Sequence, residues 1–291
     1  MKDKLLVSVS GGKTSGYMAE MIKRLYSEKY EILYIFANTG EENEATLQFL
    51  DTMDKAFNLD LVWLEAVVHD AGEATSYKLV DFKSASRNGE PFEEVIKKYG
   101  IPNKSYPHCN RELKLAPIHT YAKEYFGTKD YQTAIGIRID EARRVSKDPK
   151  AKYNIVYPLI DWEMTDKIDI NNWWEDQTFN LELKEHQGNC KTCFKKSTNK
   201  HFLLIDENPN QFDFNRRMEK YKSIGKHEDR VFFRSNRDTD SLFRLHKETA
   251  IDRAEQERMK RYIKDHQPDM FDENDGCGES CEPYQTEDIL R

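Results

Sequence analysis

Two groups of residues in this sequence have types and spacings suited to chemistry. The first is Ser10-Gly11-Gly12-Lys13-Thr14-Ser15. Adjacent glycines let backbone N–H groups come close to a phosphate, Lys13 brings a full positive charge, and the hydroxyls of Ser10, Thr14 and Ser15 add donors. A turn with a solvent-facing lysine needs none of this surplus. The second group is the cysteines. Cys190-Lys191-Thr192-Cys193 is a CxxC, which fits a zinc half-site, a redox dithiol or half of a cluster site. Zinc calls for a second pair, and Cys277 with Cys281 would have to supply it at a looser spacing. A thioredoxin-like dithiol opens a helix early in its fold, which this one does not. Cys109 offers a third arrangement, in which soft thiolates from a loop and a distant CxxC converge on an iron–sulfur cluster.

The elements that must hold these residues follow from periodicity. Leu5–Val9 reads as a buried strand and Tyr17–Ile22 opens an apolar-periodic helix, so the glycine loop lies at a strand-to-helix turn, where the helix N-terminus adds positive potential. The loop is not the GxxxxGK[ST] type, which needs a glycine at Val7, and the dinucleotide fingerprint is absent. Strands at Glu31–Phe36 and Asp60–Glu65, with an amphipathic helix over 43–57 between the two, predict βαβ units and a parallel sheet. Ligands of such sheets bind at the carboxyl ends of the strands, which makes Asn38-Thr39-Gly40 a candidate nucleotide contact. Residues 66–107 read as polar and irregular apart from a short helix over 92–99, as in a substrate loop or lid. A helix then runs to about 126, and Tyr131–Gly136 is another strand. Its end carries Arg138, Arg143 and Arg144, and arginine forks in an acidic chain suit phosphate or sulfate. A helix near 166–176 follows. Helices over 199–222 and 239–265 form an α-helical extension, and from Asp265 the chain is acidic and expected to be flexible.

Composition sets outer limits. The chain has 291 residues, a third of them charged, and a net charge of −7, so nucleic acid or anionic membrane could be met only by a local patch. Lys191, Lys195, Lys196 and Lys200 around the CxxC, followed by Arg216, Arg217, Lys220 and Lys222, make one candidate face. No apolar run approaches the ~20 residues of a membrane span. Met1-Lys2-Asp3-Lys4 leads straight into the first strand without a signal-peptide core, so the expected location is cytoplasmic. Five cysteines with two close pairs fit metal or redox chemistry in a reducing compartment.

The glycine loop resembles the pyrophosphate loop of the N-type ATP pyrophosphatases, or PP-loop superfamily. That resemblance implies an α/β, doubly wound parallel sheet of the adenine nucleotide alpha hydrolase type. Asn38-Thr39-Gly40, the His108-Cys109 stretch with Lys114 and Pro117, Ile135-Gly136-Ile137-Arg138, Tyr157-Pro158-Leu159 with Trp162, and the CxxC come in the order found in assimilatory adenylyl-sulfate reductases. The likeness runs from about residue 5 to 200 and is nearest to the phosphoadenosine phosphosulfate reductase-like proteins of phages and bacteria. It implies a [4Fe–4S] cluster on Cys109, Cys190 and Cys193, with zinc as the alternative. His108 stands where the reductases have the first cysteine of a pair, which makes it a candidate fourth ligand. Their C-terminal catalytic cysteine motif has no match here; Gly276-Cys277-Gly278-Glu279-Ser280-Cys281 lacks its histidine.

The expected organisation is a nucleotide-binding domain over 1–200 containing the CxxC, a helical extension over 201–265 and a tail over 266–291. The resemblance implies nucleotide contacts by residues 10–15, Asn38, Thr39, Gly40, Gly136 and Arg138. Three activities compete. In the first, ATP with Mg2+ adenylates an acceptor, tRNA or DNA among the candidates, and sulfur from a donor displaces AMP; Lys13, Arg138, Arg143 and Arg144 offset the charge that builds. In the second, a sulfonucleotide such as phosphoadenylyl sulfate is reduced with Cys277 or Cys281 as nucleophile and a thiol reductant. The third is a non-catalytic nucleotide or nucleic-acid binding module.

Overall fold

The structure is a computed structural model that describes residues 2–70, 72–146, 153–188, 190–224 and 229–249. A six-stranded sheet runs through it in the order β4-β3-β2-β1-β5-β6. The strands are β1 (Asp3–Ser8), β2 (Tyr30–Asn38), β3 (Val62–Val67), β4 (Ser76–Val80), β5 (Gln132–Ala134) and β6 (Ile155–Val156). All neighbours are parallel except β3 and β4. Leu5, Leu6 and Val7 have no exposure, as an interior strand of a parallel sheet requires.

Alternation along β1 builds the two faces. Leu5 and Val7 point to a core shared with Met18 and Ile22 of α1 (Lys13–Tyr26), Leu47, Leu50 and Met53 of α2 (Glu44–Phe57), and Trp174. Leu6 points the other way, to Leu33, Ile35 and Leu64 and to residues 118–126. The sheet is therefore covered by helices on both sides, the doubly wound arrangement that the strand-helix alternation predicts. No helix among the described residues is long and apolar enough to cross a membrane.

Segment 66–107 is more regular than its composition predicts. It holds β4, paired along its whole length with Trp63 to Val67 of β3, and α3 (Glu90–Tyr99). The edge strand escapes sequence reading because it is short and exposes Leu79 and Lys78, as edge strands do. Next come α4 (His108–Asn110), a π-helical turn (Arg111–Leu115) and α5 (Ala116–Phe126). The short α6 (Pro158–Asp161) follows β6, and α7 (Lys167–Glu175) starts from a capping box of Asp166 and Asp169.

The single helix expected over 199–222 is broken. It is α8 (Thr198–Glu207), a 3₁₀ turn (Pro209–Phe212), α9 (Asp213–Met218) and a second 3₁₀ turn (Glu219–Tyr221). Pro209 has no N–H to donate and crowds the turn before it, so the helix ends at Glu207. The last described helix is α10 (Thr239–Glu248). The rest of the helix expected over 239–265, and the tail with Cys277 and Cys281, lie outside the described residues. Phe202, Leu204, Ile205, Phe212, Phe214, Met218 and Leu242 share one apolar cluster with Phe92, Val95 and Ile96 of α3. The C-terminal helices thus complete the core beside the sheet.

Candidate functional site

β1 ends at Ser8 and α1 begins at Lys13, with Gly12 as its N-cap and no acidic residue in the first turn. The loop between them closes on itself. Ser15 Oγ donates to Gly12 O at 3.0 Å, accepts the Ser10 N–H at 3.1 Å and lies 3.0 Å from Ser10 Oγ. Gly11 has φ +87°, and a Cβ there would lie 2.5 Å from Thr46 Cγ2. Both backbone conformation and space therefore demand glycine. Lys13 is half-buried, and Trp174 Nε1 donates to its carbonyl at 2.8 Å. A helix N-terminus with no acid in its first turn and a lysine at its first position is suited to receive an anion.

The strand β5 delivers Gly136 and Arg138 to this loop. A Cβ on Gly136 would lie 3.4 Å from Ser15 Cα, so that residue packs on the start of α1. Arg138 is 3% exposed; Nη1 donates to Thr14 Oγ1 at 3.1 Å, and Nη2 meets Asp140 at 2.9 Å. Arg144 pairs with Glu141 at 2.6 Å, and Arg143 is exposed on the same 3₁₀ turn, Ile139–Arg144. Asp140 and Glu141 take up the charge of Arg138 and Arg144. Arg138 is joined to the glycine loop through Thr14.

At the end of β2, Asn38 is fully buried. Its Nδ2 donates to the buried Glu65 carboxylate at 2.7 Å and to Ser86 O, and its Oδ1 accepts the Gly40 N–H at 3.3 Å. Both ends of the amide are engaged within the protein, so Asn38 shapes the turn. Thr39 donates to Glu42 at 2.8 Å and lies 3.6 Å from Cys190 Sγ. Gly40 has φ +81° and accepts the Gly89 N–H at 2.9 Å.

Cys109, Cys190 and Cys193 all line one pocket, together with Thr39, Glu41 and Lys114. Glu42 and Cys190 form an isolated antiparallel bridge, and the Lys191 N–H donates to Glu41 O at 2.8 Å. Among the described residues, no three His, Cys, Asp or Glu side chains converge as one metal ion requires. A cubane cluster asks for less, since each iron takes one thiolate and the donors stand around a cavity. Three cysteines among the described residues line this pocket, one fewer than the four donors a [4Fe–4S] cluster takes. His108 does not join them: its Nε2 lies 3.1 Å from Gly100 O, its ring lies against Tyr99, and burial pushes it down to about 4. His108 is not among the residues lining the pocket that Cys109 lines.

Residues 4–225 match the phosphoadenosine phosphosulfate reductase domain. The chain belongs to that family. The family lies in the PP-loop, adenine nucleotide alpha hydrolase-like superfamily, and its members are enzymes that bind a nucleotide substrate such as ATP or phosphoadenylyl sulfate. The uncharacterized nin region protein ORF290 of Escherichia phage lambda is 31% identical over 289 residues, 96% of this chain and 94% of the phage protein. Two uncharacterized proteins of Methanocaldococcus jannaschii are 27% and 25% identical over 77% and 56% of the chain. The alignments span 49% and 30% of those longer proteins.

The family domain contains the basic residues expected to form a nucleic-acid face, and most of them are occupied. Lys196 is 2% exposed and donates to the carbonyls of His186 and Gly188. Lys191 donates to Arg87 O, and Lys200 pairs with Glu185 at 3.0 Å. Arg216 and Arg217 meet Asp213 and Glu93. These ties hold loops together.

Several contributors in the domain have no local signal in sequence. Trp174 reaches Lys13 across 161 positions, Thr46 backs Gly11, and Glu65 holds Asn38 and Ser86. Glu41 is 4% exposed, and burial raises its carboxyl to about 8 against the opposing pull of Lys191. The fold alone brings these groups to the site.

Proposed function

We propose that this chain binds an adenine nucleotide, ATP first, with its phosphates on residues 10–15, and carries out adenylation followed by sulfur transfer at the adjoining thiol pocket. The observation that carries this reading is the continuity of the two sites. Thr46 backs the glycine loop, Glu42 bridges to Cys190, and the segment that lines the phosphate pocket at Gly188 reaches Cys190 two residues later.

In this reading an acceptor oxygen attacks the α-phosphorus. The new O–P bond forms as the bond to the β-phosphate bridge breaks, and pyrophosphate leaves on the amides and hydroxyls of residues 10–15. Lys13 offsets charge that grows on the leaving group, where preorganised donors count most. Arg138, fixed by Asp140, orients Thr14 at the same end of the loop. Sulfide from a donor then adds to the adenylated carbon: the C–S bond forms as the C–O bond breaks, and AMP leaves. Cys109, Cys190 and Cys193 are the residues that would hold a [4Fe–4S] cluster, which when bound would supply redox-active iron able to bind sulfide. Mg2+ typically rides on the phosphates with one or two carboxylates. Glu185 is the carboxylate lining the phosphate pocket, and it is already shared between Lys167 and Lys200. No step is assigned to the metal.

Incubation of the anaerobically purified chain with ATP, a sulfide donor and tRNA or single-stranded DNA is expected to yield AMP and pyrophosphate in equal amounts. Lys13→Ala is expected to lower that turnover by about a hundredfold. Absence of both products with either acceptor contradicts the reading.

The family match favours a second reading, reduction of adenylyl sulfate or its 3′-phosphate with Cys277 or Cys281 as nucleophile. It predicts that changing both cysteines to serine abolishes sulfite release from the sulfonucleotide. Unchanged sulfite release would exclude it.

A further inference from the structure

The phosphate pocket has a second wall, built far along the chain from the glycine loop. Residues 10–13 line one side, and Leu181, Leu183, Lys184 and Gly188 line the other. Among the described residues lining this pocket, the cations are Lys13 and Lys184. A triphosphate or a leaving pyrophosphate carries several negative charges. Arg138, the buried cation bonded to Thr14 of the loop, is already committed to Asp140, and the buried Lys196 ammonium is spent on the carbonyls of His186 and Gly188.

The backbone of this wall is pinned without help from the Lys184 side chain. Asn43 Nδ2 donates to Gln187 O, and the buried Lys196 ammonium donates to the carbonyls of His186 and Gly188. Glu185 is held by Lys200 and Lys167. The Lys184 side chain itself is 67% exposed and meets Glu207 Oε1 at 2.6 Å. Glu207 also takes His186 Nε2 at 2.8 Å and Gln187 Nε2 at 2.9 Å. Its carboxylate would keep two partners if Lys184 left.

We propose that Lys184 is a second phosphate-binding lysine, which exchanges its Glu207 partner for the β- and γ-phosphates of a bound nucleotide. The move is a side-chain rotation on a fixed backbone. It exchanges an exposed ion pair, of small net worth, for a charge-assisted bond to a phosphate dianion in a partly closed pocket. The inference rests on the phosphate assignment under Proposed function and deepens it.

The test is equilibrium binding of ATP and of AMP to the full chain, comparing wild type with Lys184→Met, Lys13→Ala and Glu207→Gln. Lys184→Met keeps the apolar stem and should weaken ATP about tenfold while leaving AMP affinity unchanged, because AMP has no β- or γ-phosphate. Glu207→Gln weakens the competing partner and should tighten ATP severalfold, again with no change for AMP. Equal losses for ATP and AMP in Lys184→Met, or a thermal midpoint far below wild type, would mark Lys184 as a structural residue and overturn the proposal. Wild-type ATP affinity in Lys184→Met, alongside a large loss in Lys13→Ala, would overturn it while leaving the glycine-loop assignment standing. If the wild-type chain binds no ATP, the assignment of the loop fails, and this inference fails with it.

Discussion

The side chains nearest the proposed chemistry are set by partners that are remote in sequence. Arg138 shows this best: its type and place after a strand mark it as an oxyanion ligand, yet its fork is spent on Asp140 and on Thr14 of the glycine loop. Arg138→Lys keeps the charge but cannot span both partners. It is expected to destabilise the fold by about 1–3 kcal/mol in urea unfolding and to weaken ATP binding through Thr14. Glu41 gives a pH signature. Burial raises its carboxyl from 4.5 to about 8, so above pH 4.5 the folded chain retains a proton that the unfolded chain has released. Its contribution is complete below pH 4.5 and is lost as pH rises toward 8, with a slope of about 1 kcal/mol per pH unit. Glu41→Gln removes that slope, so the variant should gain stability relative to wild type between pH 5 and 8. Parallel stability curves for the two proteins would contradict this. Residue types in the glycine loop and the CxxC were legible in sequence. The occupancy of Asn38, Arg144 and Lys196 by internal partners was not, because hydrogen bonds to groups dozens of residues away leave no local pattern.

Among the elements, β1 and β2 were readable as continuous apolar runs, and α1 and α2 by an apolar period of three to four residues. The short edge strand β4 and the break at Pro209 were not, since one exposes its apolar side chain and the other was masked by periodicity on both sides. The turn between β1 and α1 allows a sharp test. Gly11→Ala combines a φ of +87° with a Cβ placed 2.5 Å from Thr46 Cγ2, and should cost about 1–3 kcal/mol while abolishing nucleotide binding. Adding Thr46→Ser removes the methyl but not the backbone strain, so it should restore only part of the stability. Full recovery in the double variant would show that the clash, and not the conformation, selects glycine there.

Across the whole molecule, the sheet and the C-terminal helices act as one frame around the thiol pocket. Phe92 of α3, Phe214 of α9 and Phe232 line that pocket and belong to a single apolar cluster. The boundary expected at residue 200 therefore cuts through packed side chains. A chain ending there would expose Phe92, Val95 and Ile96 and is expected to lose cooperative unfolding. Phe212, fully buried in the same cluster, should cost about 3–5 kcal/mol as alanine. The family-level architecture was legible because strand-helix alternation is a long-range pattern carried by every element. The helices' part in the pocket was not, since it depends on how α8 and α9 turn at Pro209. With nucleotide phosphates on the glycine loop as proposed, three cysteines lie one short segment away. The most direct test of that placement is a crystal structure of the chain with a non-hydrolysable ATP analogue. The expected result is β- and γ-phosphates within hydrogen-bonding reach of the Gly12 to Ser15 amides and of Lys13, with the nucleotide at the carboxyl ends of β1 and β2. Phosphates bound elsewhere, with the Ser10–Ser15 loop still closed on its own hydroxyls, would contradict it.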